Sequence, residues 1–546
     1  YKKQIIALLG LVGAYAVPFL LSTGSGRVDI LFSYMAILNL GILVISLTQN
    51  WRALFYSAFG LTWLIFCGWY LTDYNQDTQF IFAFVFLSLF FAIFYATFIG
   101  YKLKYKMQFS RGDIIILLFN SFIFFGMGYL MLSERSSMSD YLGLFTLINA
   151  VIHFLVSTAI YRLKLADRNL FFLISGLVLV FITIAIPVQL DGNWVTLLWI
   201  AEAALLFWIG RTKNVPVYET LSYPLIVLAT VSLLQDWRSF YMEKFDEFGL
   251  LGMESFTPIF NIHFASSLLF VICLAAIYYI WRQDKYEIES IKSSSYYALA
   301  NRILPVVLFG VFYFMFFLEI STYWTQLLNA SKIIPLHLET EYYSPRNMDF
   351  REYRSIWLVL YTLVIGLIAS VVNIKWLKNK TLGKANLGFN LFAIAVFLTL
   401  GLYALSELRE SYIDNATDEY FNHGWWNIGI RYLALTFFGV FIATNYQYIK
   451  QSFIGLNLKQ VFDVVLHISI VWVLSSELLS IMNFSGNTHN YKLGLSILWG
   501  LYSLTIVAYG IWKDNAFLRI GAIGLFALTL VKVFFYDISH LDTIAK

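Results

Sequence analysis

The chain has 546 residues, 60% of them hydrophobic, 19% aromatic and 13% charged, with a formal net charge of +4. Soluble domains carry roughly 25% charged residues, so the composition excludes a soluble globular protein, and the small net charge gives no basic footprint for nucleic acid. The two cysteines, Cys67 and Cys273, lie in separate apolar runs and suggest neither a metal site nor a disulfide framework.

A membrane-crossing helix needs roughly 20 apolar residues. In chain order, runs of that kind occur at 4–22, 28–48, 51–71, 79–100, 114–132, 141–161, 169–188, 193–210, 216–235, 258–281, 302–324, 355–376, 386–406, 426–448, 460–482, 493–512 and 517–537. An open sheet would leave backbone groups unpaired in lipid. The expected fold is therefore all-α, a polytopic transmembrane bundle of about 17 spanning helices, with residues 1–546 forming a single integral membrane region. The first run has no small-residue cleavage site and reads as a span rather than a signal peptide. The chain starts at Tyr1, which reads as a piece of a longer protein.

Charge alternates from loop to loop. One set, including "GRTKN", "KWLKNKTLGKAN" and "IWKDN", holds about 24 Lys/Arg against about 6 acids. The other set, including "TDYNQDTQ", "QLDGN" and "NFSGNTHNYK", holds about 11 against about 24. The positive-inside rule makes the first set cytoplasmic. Tyr1 is then inside and Lys546 outside, as an odd number of spans requires. The longest outer loops are expected at 236–257, 325–354 and 407–425.

The inner turns are short, so the chain reads as repeated helical hairpins. At an offset of 300, "LLWIAEAALLFWIGRTKN" aligns with "ILWGLYSLTIVAYGIWKDN", equating Trp199 with Trp499, Gly210 with Gly510 and Lys213 with Lys513. Residues 195–237 and 495–537 are the candidate internal repeats. Position 202 holds glutamate in the first copy and Tyr502 in the second.

Ionisable groups at membrane depth face protein or water. Glu202 is the deepest, among Ala201, Ala203 and Ala204. Arg431 or Lys532 is the expected counter-ion, or else Glu202 is a protonatable or substrate-binding group. Asp463 and Glu219 lie near inner ends, where solvent access explains them. His467, four residues after Asp463, shares its helix face and suits a proton relay or a metal pair, but two ligands do not make a metal site. His153 and His263 read as core histidines. Glu319, Glu407, Glu477 and Asp537 recur at outer helix ends, where an acid opposes the helix dipole. They are either outer-loop charge bias or a row of carboxylates around an outer vestibule. His423, Trp425 and Trp426 group above Arg431, as interface anchors or as a platform for a sugar or lipid headgroup. No catalytic motif and no cofactor-binding motif is present.

The stretch from Leu8 to Tyr70, with Gly10, Gly13 and Pro18, the helix "LFSYMAILNLGIL" and the turn at Trp51, resembles the bacterial membrane proteins grouped as domain of unknown function 2339. The helix carrying Trp199 and Glu202 and the stretch "LRIGAIGLFALTLVKVFFYDISHLDTIAK" resemble that family too. The resemblance implies a multipass inner-membrane protein whose chain continues beyond both ends given, with a coiled-coil-like segment before and a helix after. It supplies no activity. Three function classes stay open: a conduit or flippase-like component for an envelope lipid or lipid-linked glycan, a structural or assembly subunit with envelope protein partners, and a membrane enzyme acting on a lipid-linked substrate. Membrane lipids are the partners common to all three.

Overall fold

A computed structural model describes residues 4–20, 27–49, 51–105, 111–135, 138–162, 168–244, 257–283, 285, 292, 295–333, 345–414, 420–486 and 491–537. Among them every regular element is helical. In chain order these are α1 (Gln4–Leu20), α2 (Val28–Ser46), α3 (Arg52–Thr72), α4 (Gln76–Tyr105), α5 (Arg111–Ser133), α6 (Leu142–Arg162), α7 (Arg168–Gln189), α8 (Asn193–Thr212) and α9 (Pro216–Trp237). There follow α10 (Ile262–Trp281), α11 (Ser295–Ala330), α12 (Asp349–Val372), α13 (Lys380–Ile413, with a π-helical turn at Phe397–Gly401), α14 (Trp426–Ile449), α15 (Lys459–Phe484), α16 (Tyr491–Trp512) and α17 (Ala516–Lys532). Among the described residues fifteen helices are long and apolar enough to cross a membrane, and Gln4–Pro18 and Ile174–Gln189 are shorter apolar helices. The protein is an all-α polytopic bundle, as its hydropathy predicts.

Helix ends depart from the hydropathy limits where polar residues continue the backbone ladder. α11 runs to Ala330, α12 starts at Asp349 and α13 runs to Ile413. Glu407, expected at the start of an outer loop, therefore lies within a helix. The ladder needs only backbone donors and acceptors, so it outlasts the apolar stretch that hydropathy detects. Residues 245–256, 334–344 and 415–419 of the three expected loops lie outside the described residues.

The chain divides into two compact units, residues 1–203 with 224–232, and residues 204–223 with 233–546. In the first unit α2 packs on α4, α4 on α5 and α6 along α7. Its core is aromatic: the Phe32 ring meets Phe66, Trp69, Phe82, Phe86 and Phe90 at centroid distances of 5.0–5.9 Å. Such offset and edge-on pairs add about 0.5–1.5 kcal/mol each beyond area burial. A closed polar triangle lies in the same core: the Tyr15 hydroxyl donates to Asn39 Oδ1 at 2.7 Å and lies 2.7 Å from Thr62 Oγ1, to which Asn39 Nδ2 donates at 3.0 Å. In the second unit α12 packs against α11, α13 and α14, around Ile356, Leu363, Phe397, Leu405 and Phe441. α15, α16 and α17 have the least protein around them, with 11%, 17% and 17% of their membrane windows buried.

Candidate functional site

The α8–α9 turn is closed by Val215 N–H donating to Gly210 O at 2.8 Å, with Asn214 at φ 53°. A Cβ at Gly210 would meet Glu219 N at 2.6 Å, so glycine is what lets α9 start against α8. Across this turn Arg211 and Glu219 pair at 2.7 Å, with side-chain exposures of 1% and 0%. The Tyr223 hydroxyl donates to Glu219 Oε1 at 2.7 Å, and the Arg211 guanidinium lies 5.1 Å from the centre of the Trp281 ring. Solvent access does not explain Glu219; a buried ion pair does. The α16–α17 turn has the same form: Asn515 N–H donates to Gly510 O at 2.8 Å, and Asp514 has φ 46°. At offset 300, Glu219 is replaced by Arg519, which donates to Gly510 O and to Asp514 at 3.2 Å each.

Glu202 is half-buried midway along α8 and faces α7. Its carboxyl oxygens lie 3.0 and 3.2 Å from Thr183 Oγ1. Trp199, one turn earlier on the same face, donates from Nε1 to Thr183 O at 3.0 Å. That carbonyl would ordinarily receive the N–H of residue 187, which is proline and has none. The expected counter-ions of Glu202 are engaged elsewhere. Arg431 pairs with Glu477 at 2.6 Å and donates to Ser476 at 2.7 Å. Lys532 pairs with Asp537 at 2.8 Å and donates to Lys492 O and Ser496 Oγ. Each cation has an acid within reach on its own or the adjacent helix, and this removes the need for Glu202. A charged carboxylate at membrane depth costs about 2.5–3.5 kcal/mol on insertion scales.

At the end of the second unit that carries acid-rich loops, the start of α12 meets the ends of α13 and α14. Asp349 accepts from Ser411 Oγ at 2.6 Å and Asn427 Nδ2 at 2.7 Å, and pairs with His423 Nδ1 at 2.6 Å. Tyr353 donates to Asn427 Oδ1. One turn deeper lie Arg431 and Arg409, with side-chain exposures of 1% and 4%. Arg409 donates to Glu410 at 2.8 Å and lies in the field of Arg431 and Glu407. Its Nε and Nη1, like Nη1 of Arg431, have no acceptor among the described residues. Asp349, Ser411, Asn427 and Arg409 were not singled out by sequence reasoning; "DFREYR" and "SELRES" read as loop-like there.

The four acids of the expected vestibule do not share partners. Glu319 is 3% exposed and accepts from Tyr241 Oη at 2.6 Å, Ile259 N at 2.7 Å and Asn261 Nδ2 at 3.0 Å. Glu477 belongs to Arg431, Asp537 to Lys532 and Ser496, and Glu407 to Tyr403. A donor close at hand satisfies each one. Trp425 and Trp426 are 71% and 40% exposed. At about 100° of helix rotation per residue, Trp425 points well away from buried Asn427 and Arg431. His423 thus joins the Asp349 cluster, and the tryptophans suit an interface belt.

Between α15 and α17, backed by α16, is a groove of about 1020 Å³. Its walls include Val471, Trp472, Ile506, Leu518, Leu525 and Leu528. Asp463, His467 and Tyr502 also line it, and His467 Nδ1 lies 2.8 Å from the Tyr502 hydroxyl. Among the described residues no three His, Cys, Asp or Glu side chains gather as a metal would require.

The sequence profile of the predicted membrane protein family DUF2339 matches residues 1–546. The chain belongs to that family. No curated protein and no solved structure matches it. Among the described residues of this DUF2339 protein, the polar groups singled out above include the α7–α8 pair at Glu202, the α8–α9 turn, the α12–α14 end cluster and the α15–α17 groove.

Proposed function

We propose that this protein is a conduit or flippase-like component of a bacterial inner membrane, which takes an envelope lipid or lipid-linked glycan by its acyl chain into the α15–α17 groove. One observation carries the reading: an apolar-walled cavity of about 1020 Å³ with a polar patch of Asp463, His467 and Tyr502. Ligand sites typically span about 300–1,000 Å³, with mostly apolar walls and a few polar groups that fix orientation. A chain in the groove would replace lost contacts along three helices that have little protein around them. The patch would hold the polar part of an amphiphile. The matching α8–α9 and α16–α17 turns support hairpin duplication as the way such a surface arose. The alternating loop charge supports Tyr1 on the cytoplasmic side.

The test uses the full chain reconstituted in vesicles with a fluorescent phospholipid and a membrane-impermeant quencher. The intact protein is expected to speed transfer of the label between leaflets. Gly521 lines the groove and an added Cβ there meets nothing within 4 Å, so Gly521→Trp places an indole in the groove and should abolish the gain. An unchanged rate in that variant, or no gain from the intact protein, overturns the reading.

A further inference from the structure

We propose that Glu202 is a proton-binding site inside the membrane, held as a neutral carboxylic acid that donates its own proton to Thr183. The inference is independent of the lipid reading; it concerns another helix pair and another ligand, the proton.

The proton count at Thr183 carries the argument. A threonine hydroxyl has one proton to give and lone pairs to accept with. Thr183 Oγ1 lies 2.9 Å from Leu179 O, one turn back on its own helix. It also lies 3.0 and 3.2 Å from the two oxygens of Glu202. With Glu202 ionised, three acceptors compete for one proton and at least one contact sets two oxygens together with none between them. With Glu202 neutral, Thr183 donates to Leu179 O and accepts from the carboxylic O–H. Two of the three contacts are then true hydrogen bonds, where the ionised form has one proton for all three.

The surroundings favour the same state. Among the described residues Thr183 is the side chain bonded to Glu202, and no cation pairs with it. Between residues 169 and 189 α7 carries no ionisable side chain, and neither does α9 between 224 and 235. On α6, His153 stacks on Phe181 and lies 2.9 Å from the Tyr95 hydroxyl, engaged away from Thr183. On α8 itself the next ionisable group is Arg211, which is paired with Glu219. A lone carboxylate has nothing there to offset its charge, and burial favours the neutral form. The second hairpin offers a parallel: Tyr502 stands at the equivalent position, a neutral O–H group bonded to His467 on the preceding helix. In both hairpins that position holds a group that can present O–H to the neighbouring helix.

The position also fixes what the site can take. Trp199 donates to the carbonyl that Pro187 leaves open, and Thr183 is the side chain bonded to Glu202 among the described residues. A metal ion would need several oxygens; a proton needs one carboxyl.

The test compares the intact protein with Glu202→Gln, a neutral isostere expected to fold, in lipid nanodiscs at neutral pH. Infrared difference spectra should show a carboxylic C=O band present in the intact protein, shifted by deuterium oxide and lost in Glu202→Gln. Dicyclohexylcarbodiimide, which adds to neutral carboxylic acids in apolar surroundings, should label the peptide holding Glu202, and labelling should fall as pH is raised. A difference spectrum showing only ionised carboxylate bands at Glu202 overturns the proposal, and so does labelling that is the same in Glu202→Gln.

Discussion

Trp199 donates its indole N–H to the carbonyl of Thr183, the one backbone acceptor that Pro187 cannot serve. The proline and the tryptophan are thus two halves of one arrangement, on different helices. Trp199→Phe should lower thermal stability by about 1 kcal/mol, the net worth of one hydrogen bond plus an orphaned carbonyl. With Pro187→Ala in the same chain the loss should shrink, because residue 187 then supplies the missing N–H. Thermal melts of the two single variants and the double variant measure the coupling; additive losses would separate the two residues.

The two similar turns separate sterically. At Gly210 a new Cβ meets backbone, Glu219 N at 2.6 Å; at Gly510 the nearest atom is Arg519 Cγ at 2.8 Å, a side chain that can swing away. Gly210→Ala should therefore reduce folded yield and melting temperature clearly more than Gly510→Ala. Equal effects would show that the turns yield alike.

The buried Arg211–Glu219 pair should behave as a unit. Arg211→Met leaves Glu219 fully enclosed, with Tyr223 as its side-chain donor among the described residues, and should cost about 3–5 kcal/mol. Combining it with Glu219→Leu should recover most of that loss. Melting curves of the single and double variants decide, and a double variant no better than the single would sink the pairing.

Arg431 and Arg409 are both buried but differ in partners. Arg431 holds Glu477 and Ser476; among the described residues Arg409 leaves Nε and Nη1 without acceptors and reaches an exposed Glu410. Arg431→Met should cost about 3 kcal/mol, as expected when one member of a mostly buried pair is removed. Arg409→Met should cost under about 1 kcal/mol or stabilise, since an under-served buried charge is replaced by packing. The reverse order in thermal melts would overturn this ranking.

Single cysteines at Lys213, Lys380 and Lys513 should react with an impermeant thiol reagent only from the cytoplasmic side, and those at Asp77, Asp191 and Ser485 only from the other. Labelling of Lys213 and Asp191 from one side would break the alternation that loop charge predicts.

The spans were readable because length and apolarity are set by the bilayer, whatever the neighbours do. The α8–α9 and α16–α17 turns were readable too, since close approach at Gly210 and Gly510 leaves glycine as a mark at a fixed offset. Partners of buried charges were not. Glu202 stood out by depth, but its partner Thr183 is an ordinary helical threonine whose hydroxyl also bonds its own backbone. Glu219 looked solvated from its place near a helix end; its pairing with Arg211 depends on how tightly the turn folds back. Asp349 and Arg409 were passed over because polar residues beyond the apolar run look like loop, whereas the helix continues through them. The charge-by-spacing signal of Arg211 and Glu219 across a short Gly-containing turn is one that could have been used.

The thin protein cover of α15, α16 and α17 has a consequence for how this end of the chain responds to its solvent. With only 11%, 17% and 17% of their windows inside the protein, lipid tails supply most of their packing. α16, at 22 residues, is about 33 Å long, close to the hydrocarbon thickness of an average bilayer. Bilayer thickness is therefore a structural variable for these helices and much less so for α4, half of whose window is buried. In lipids with shorter tails, α16 and α17 tilt or loosen first, and their amides exchange with solvent while those of α3 and α4 stay protected.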